Sequence, residues 1–302
     1  MRPARFSSAK SALHSGKGET VISEQESESA SREISLIRRG SALWATIERP
    51  HAMNSLTLGV LRGIEEAVDA VEESPDLRAL VIAGSGRAFS AGADLTGVPD
   101  VTSAEGGADD FRSYLTEAGK AFARLASCRR PTIAAVHGYA LAGGLELALS
   151  CDIIVAAEGA KLGDGHAKYG QFPAGGATAR LPLRVGHAFA KYMMFSGAVL
   201  DGREAERRGL AELVTDDGDL AATIDRLVES FSAASPLGLQ RMKEQLEPTV
   251  VPLEDHIRAE LDVAVEYARS ADRDEGLAAF LEGRTPAFGN NASVNDAERS
   301  PA

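Results

Sequence analysis

A chain of 302 residues, 44% hydrophobic and 25% charged, has the composition of an ordinary folded protein with enough apolar content for a sizeable core, which excludes wholesale disorder and fibrous repeats. A net charge of -12 argues against a nucleic-acid binder, whose affinity rests on accumulated cationic contacts. The longest apolar-rich run, Pro131 to Leu145, is broken by His137 and several glycines and falls short of the roughly 20 apolar residues of a membrane span.

Residues 1–33 read as a disordered leader. Arg2, Arg5, Lys10 and Lys17 precede Glu19, Glu24, Glu26 and Glu28 without an apolar face, so a mitochondrial targeting segment is the lesser reading. Ile34 and Leu36, then Ala42, Trp44, Thr46 and Ile47, alternate as two short strands joined at Arg39-Gly40. Leu58, Leu61, Ile64, Val68 and Val71 recur at helical spacing behind the capping residue Thr57, which predicts a helix over 58–73 stopped by Ser74-Pro75. Residues 77–83 are continuous and apolar, a buried strand feeding the glycine-rich loop 84–92.

The same order recurs. The spacing predicts a helix over 111–126, a strand over 132–136, a glycine-rich turn over 138–144, a helix over 145–150 and a strand over 152–156. Strands alternating with helices in this way imply an α/β fold of βαβ type, largely parallel, with right-handed crossovers. Beyond Val214 the strand signals stop, and 220–234, 237–246, 253–269 and 275–281 predict helices. The chain thus divides into a core over 34–218 and a helical region over 219–288, whose apolar faces need the core or another subunit to cover them. Residues 289–302 are polar and read as a flexible tail. Cys128 and Cys151 are the only cysteines and form no CxxC pair, which leaves no disulfide framework or cysteine zinc site and suits the reducing cytoplasm.

Two strand-to-turn junctions carry the chemistry: Phe89-Ser90-Ala91-Gly92-Ala93-Asp94-Leu95 and Tyr139-Ala140-Leu141-Ala142-Gly143-Gly144-Leu145-Glu146. At a helix start the first N–H groups have no intrahelical acceptor, so the Gly143 and Gly144 amides are available to an anion. An amide from the 91–94 turn facing them would complete an oxyanion hole, in which each donor stabilises a transition state by about 3 to 4 kcal/mol. Glycine content alone favours ordinary strand-helix connections. The scattered histidines suggest no metal site, and there is no dinucleotide fingerprint, phosphate loop or nucleophile elbow.

Taken together, Arg49-Pro50-His51-Ala52-Met53-Asn54-Ser55-Leu56, then Gly86 to Leu95, then His137 to Leu149 closed by Cys151-Asp152 strongly resemble the enoyl-CoA hydratase/isomerase (crotonase) family over 34–288. The resemblance implies a spiral of repeated β-β-α units with a helical C-terminal trimerisation region, assembled as a homotrimer or hexamer. It implies an acyl-CoA thioester whose carbonyl oxygen lies between the amides of Ala93 and Gly143, with no cofactor beyond the coenzyme A of the substrate.

Glu146 matches the family's first catalytic glutamate, and its apolar neighbours raise its pKa towards that of a general base. Where family hydratases carry a second glutamate, the alignment places His166, with Asp164 two positions earlier. His166 is suited to proton transfer, to binding a substrate carboxylate or phenol, or simply to filling space. For coenzyme A the resemblance points to His51, Ala52 and Met53, with Ala91, Asp94 and Gly144 lining the same groove. Phe280 would cover the nucleotide or serve as core, and Arg284 would pair with phosphate. The leading reaction is hydration of a 2-enoyl-CoA. The rivals are isomerisation or hydrolysis of an unusual acyl-CoA through His166, and a non-catalytic acyl-CoA binding protein.

Overall fold

The structure is a computed structural model that describes residues 20–21, 33–94, 107–169 and 171–246, with 271, 275, 282, 284 and 287 beyond them. Strands β2 (Ile34–Arg39) and β3 (Ala42–Ile47) form the expected hairpin, paired from Ile34 opposite Ile47 to Arg39 opposite Ala42. Helix α1 (Leu58–Glu73) begins where Thr57 caps it, its side-chain oxygen accepting the Val60 N–H at 3.1 Å. Of its periodic apolar residues, Leu61, Ile64, Val68 and Val71 are buried, while Leu58 in the first turn is exposed.

Strand β4 (Ala79–Gly84), helix α2 (Gly107–Ala126) and strand β5 (Thr132–Val136) follow. Then come β6 (Tyr139–Leu141), α3 (Gly143–Leu149), β7 (Ile153–Ala157) and β8 (Lys161–Gly163). The β-β-α unit that opens the chain as β2-β3-α1 therefore recurs as β5-β6-α3. Next are α4 (Ala177–Val185), α5 (His187–Ser196), β9 (Val199–Asp201), α6 (Gly202–Arg207) and β10 (Leu213–Thr215). Helices α7 (Leu220–Ser232) and α8 (Pro236–Leu246) begin the helical region.

The large sheet has the order β1-β2-β3-β4-β5-β7-β10, where β1 is Thr20–Val21. From β3 to β10 every neighbouring pair is parallel, as the alternation of strands and helices predicts. Period two along β3 splits its side chains between two cores. Leu43, Ala45 and Ile47 join α1 and α2 on one face, and Ala42 and Trp44 meet Ile224 and Val228 of α7 on the other. Each fully buried Leu or Ile contributes about 1.5 to 3 kcal/mol. A second sheet, in the order β6-β8-β9, stands beside the first.

Three expectations change. Thr20 and Val21 of the supposed leader pair with Arg38 and Ile37 as an edge strand, where two β-branched residues suit an extended backbone. The stretch expected as a turn contains β6, because Tyr139–Leu141 pairs in parallel with Lys161–Gly163. Helix α3 starts at Gly143, two residues early, since Ala142 at φ 50° and ψ -120° makes the corner in a single residue. The expected helix over 253–269, most of 275–281 and the tail lie outside the described residues. Among the described residues, no helix is long and apolar enough to cross a membrane.

Candidate active site

Two isolated parallel bridges hold the 90–94 turn: Leu56 with Ala93, and Ser90 with Ala140. In the first, Leu56 N–H donates to the Gly92 carbonyl at 2.8 Å and Asp94 N–H to the Leu56 carbonyl at 3.2 Å. Those bonds flank Ala93 and leave its own N–H facing away from Leu56. In the second, Ser90 N–H donates to Tyr139 at 2.9 Å, and Leu141 N–H donates back to Ser90 at 3.1 Å.

The turn so held meets the start of α3. Gly92 sits at φ +101°, and a Cβ there would come within 2.9 Å of the Gly143 nitrogen. A Cβ on Gly143 would lie 3.4 Å from the Ala93 nitrogen. The two amides share one place, and among the described residues neither has a protein acceptor. Ala142, strained by on the order of 1 to 3 kcal/mol at its positive φ, keeps Gly143 at the first helical position, where its N–H is unused. Helix α3 has only 7 residues, so the donor is the N–H itself more than a helix dipole.

Opposite this backbone wall is one made of side chains. Glu146 is 4% exposed, and its Oε1 accepts the N–H groups of Gly175 at 2.8 Å and Ala177 at 3.1 Å. Ala177 opens α4, so the carboxylate is also the anionic cap that this helix start otherwise lacks. Oε2 remains, 3.7 Å from His166 Nε2. The other ring nitrogen of His166 is in a short contact with Asp164 Oδ1, a carboxylate only 2% exposed.

Burial raises the Glu146 pKa, against the Ala177 N–H, the His166 charge and the Gly175 N–H, which all favour the ionised form. Burial disfavours the His166 cation, but the Asp164 hydrogen bond and charge, with the Glu146 charge, outweigh it and raise the imidazole pKa. The site therefore makes Glu146 more basic than an ordinary carboxylate and favours the cation of His166.

Ala91, Ala93, Gly143, Glu146 and His166 line one cavity of about 380 Å³. Leu115, Ala118 and Phe122 of α2 supply an apolar wall. Tyr114, on the same helix, donates its hydroxyl to the Leu56 carbonyl at 2.8 Å, pinning the residue that bridges to Ala93. Burial, then the charges of Asp94 and Glu146, push that phenol up to about 12.

Of the residues expected to hold coenzyme A, His51 and Ala52 occupy a short 3-10 turn with His51 exposed. The Met53 carbonyl accepts the Ala91 N–H at 3.0 Å, which places Met53 directly behind the cavity wall. The Asp94 carboxylate pairs at 2.8 Å with Arg49, which also binds Glu33 and Ser55, so Asp94 braces the turn. Gly144 is buried against Ser90, whose carbonyl oxygen would sit 2.1 Å from any Cβ, so glycine is needed there for close packing. Arg284, expected at a phosphate, is engaged by Glu275 at 2.6 Å and Glu282 at 2.5 Å. Phe280 lies outside the described residues. The residue patterns include Arg49 in the first motif but give no sign of its pairing with Asp94, nor of Tyr114, and of the Gly175 and Ala177 donors the only trace is the Gly175-Gly176 pair.

The family model described as enoyl-CoA hydratase/isomerase matches residues 38–291. The chain belongs to the enoyl-CoA hydratase/isomerase family. A probable enoyl-CoA hydratase of Bacillus subtilis is 38% identical over 80% of this chain and 93% of its own length. The 2,3-dehydroadipyl-CoA hydratase of Escherichia coli is 34% identical over 85% of this chain and 98% of its own. Among solved structures, an enoyl-CoA hydratase from Bacillus anthracis superposes with a TM-score of 0.80 at 29% identity, covering 85% of this chain and 99% of its own. The crotonase-type fold of β-β-α units is thus shared with family structures. Among the described residues no group of three His, Cys, Asp or Glu side chains is arranged to hold a metal ion.

Proposed function

We propose that the protein hydrates a 2-enoyl-CoA to a 3-hydroxyacyl-CoA, using Glu146 as base and His166 as acid. The observation that carries this reading is the division of labour within one carboxylate. Two backbone N–H groups fix Oε1 of Glu146, and Oε2 faces the His166 ring at 3.7 Å, a gap too long for a direct hydrogen bond and suited to a shared water.

The thioester oxygen lies between the Ala93 and Gly143 amides. Water attacks C3 and gives its proton to Glu146 Oε2, while the C2=C3 electrons move onto the carbonyl oxygen as an enolate. The two N–H groups stabilise that charge, each by about 3 to 4 kcal/mol. As the enolate collapses, C2 takes the proton on His166 Nε2. Glu146 then returns its proton to His166, which restores both groups and balances the cycle. Asp164 holds the opposite ring nitrogen and favours the cation that donates. The chemistry needs no cofactor, since coenzyme A enters with the substrate.

We infer an assembly of three copies, or two such trimers, in the cytoplasm. Exposed aromatic side chains on α5, Tyr192 at 56% and Phe195 at 81%, support a covering copy, and the two free cysteines support a reducing compartment. Assay of a panel of enoyl-CoAs tests the reaction. Hydrated product from the wild type and none from Glu146→Gln supports it; shifted double bonds, free acids or undiminished Glu146→Gln activity oppose it.

A further inference from the structure

We propose that Arg180 is a positioning residue for the hydration reaction, setting which oxygen of Glu146 faces the substrate. The inference rests on the reading of Glu146 as the base. Arg180 lies in the first turns of α4, and its guanidinium folds back to donate to the Gly175 carbonyl at 2.8 Å. Gly175 is the residue whose N–H holds Glu146 Oε1 at 2.8 Å. One residue therefore receives the arginine on its carbonyl and grips the glutamate with its amide.

The local backbone fits this clamp. Gly176 stands at φ +106°, and a Cβ there would lie 2.3 Å from the Arg180 guanidinium nitrogen, so glycine supplies both the conformation and the room. A Cβ on Gly175 would meet Phe122 at 2.5 Å and Glu146 Oε2 at 2.9 Å, so a small movement of this turn reaches the reactive oxygen. Without the guanidinium, nothing else described bonds the Gly175 carbonyl, and the Gly175 N–H that helps keep Oε1 in place loses its anchor.

Two consequences follow. The base is misplaced by a fraction of an ångström to about an ångström, which costs on the order of 10²-fold in turnover with little effect on substrate binding. The Gly175 N–H, which favours ionised Glu146, also loosens, so the glutamate pKa rises further and the acid limb of the pH-rate profile moves to higher pH. A residue that merely supported the fold would produce no such displacement. Arg180 also lines a second cavity, of about 520 Å³, past the C-terminal end of α3, through which free guanidinium can reach the vacated position.

The test compares wild type, Arg180→Ala, Arg180→Lys and Glu146→Gln across pH. Arg180→Ala is expected to lose about 10²-fold in kcat at nearly unchanged KM, to move its acid limb upward, and to regain turnover with low millimolar guanidinium chloride. Arg180→Lys, which restores one donor on a shorter reach, is expected to fall between, and it serves as the decisive variant should Arg180→Ala fail to fold. A wild-type acid limb in the folded variants, or loss of turnover without guanidinium rescue or limb shift, overturns the role of Arg180 while leaving Glu146 as base. Full activity in Glu146→Gln overturns the underlying reading itself.

Discussion

The two walls of the cavity are built on different principles. The wall of Ala93 and Gly143 is made of backbone, held by the bridges Leu56 to Ala93 and Ser90 to Ala140 and by glycines that admit close approach. No group in it titrates near neutral pH. The wall of Glu146, His166 and Asp164 is made of side chains held by charge and by the start of α4. Damage to the first should lower the rate equally at every pH, whereas damage to the second should change the shape of the profile.

Glu146→Gln is the largest expected effect. Removing a general base costs about 10² to 10⁴-fold, and here kcat is expected near the upper end because the same group accepts from water and recharges His166. Next comes Gly92→Ala, which places a methyl group 2.9 Å from the Gly143 nitrogen in a backbone conformation that alanine rarely adopts. About 10² to 10³-fold is expected, the usual cost of an oxyanion donor, with both pH limbs where the wild type has them. A shifted limb in this variant would break the distinction between the walls.

Asp164→Asn sharpens the distinction from the other side. Asp164 raises the His166 pKa, so its loss lowers that pKa, and the protonated acid disappears at a lower pH. The alkaline limb should move down, with a loss of about tenfold at neutral pH. In the wild type, kcat/KM should be bell-shaped. Its acid limb lies above the ordinary carboxylate range because Glu146 is desolvated, and its alkaline limb lies above the ordinary imidazole range. Both limbs belong to the pair, since the two groups interact. The smallest effect is expected from Tyr114→Phe, which removes one hydrogen bond to Leu56 at about 1 kcal/mol, a few-fold lower kcat with unmoved limbs.

The same contrast governs what was legible in the sequence. The hairpin of β2 and β3, helix α1 with its Thr57 cap, and β5 announce themselves through periodicity and punctuation, because each buries a regular face. Glu146 and the two turns were found from motif and resemblance, and the structure brings them to one cavity. The stretch between β7 and β10 was not read as elements at all. Its strands β8, β9 and β10 have three residues each, too short for alternation to register, and its helices lean on contacts distant in sequence. The contacts of Asp94 with Arg49 and of Gly144 with Ser90 are hidden for a related reason, since these partners are identified only once the chain is folded. Arg180 resembles any other arginine on a helix until Gly175 is seen beneath it.

The most direct measurement is a crystal structure with an unreacted acyl-CoA bound. The thioester carbonyl oxygen should lie about 2.7 to 3.1 Å from both the Ala93 and Gly143 nitrogens, with Glu146 Oε2 on the C3 side. A carbonyl oxygen bound elsewhere, with those amides turned to other acceptors, would contradict the proposed catalysis.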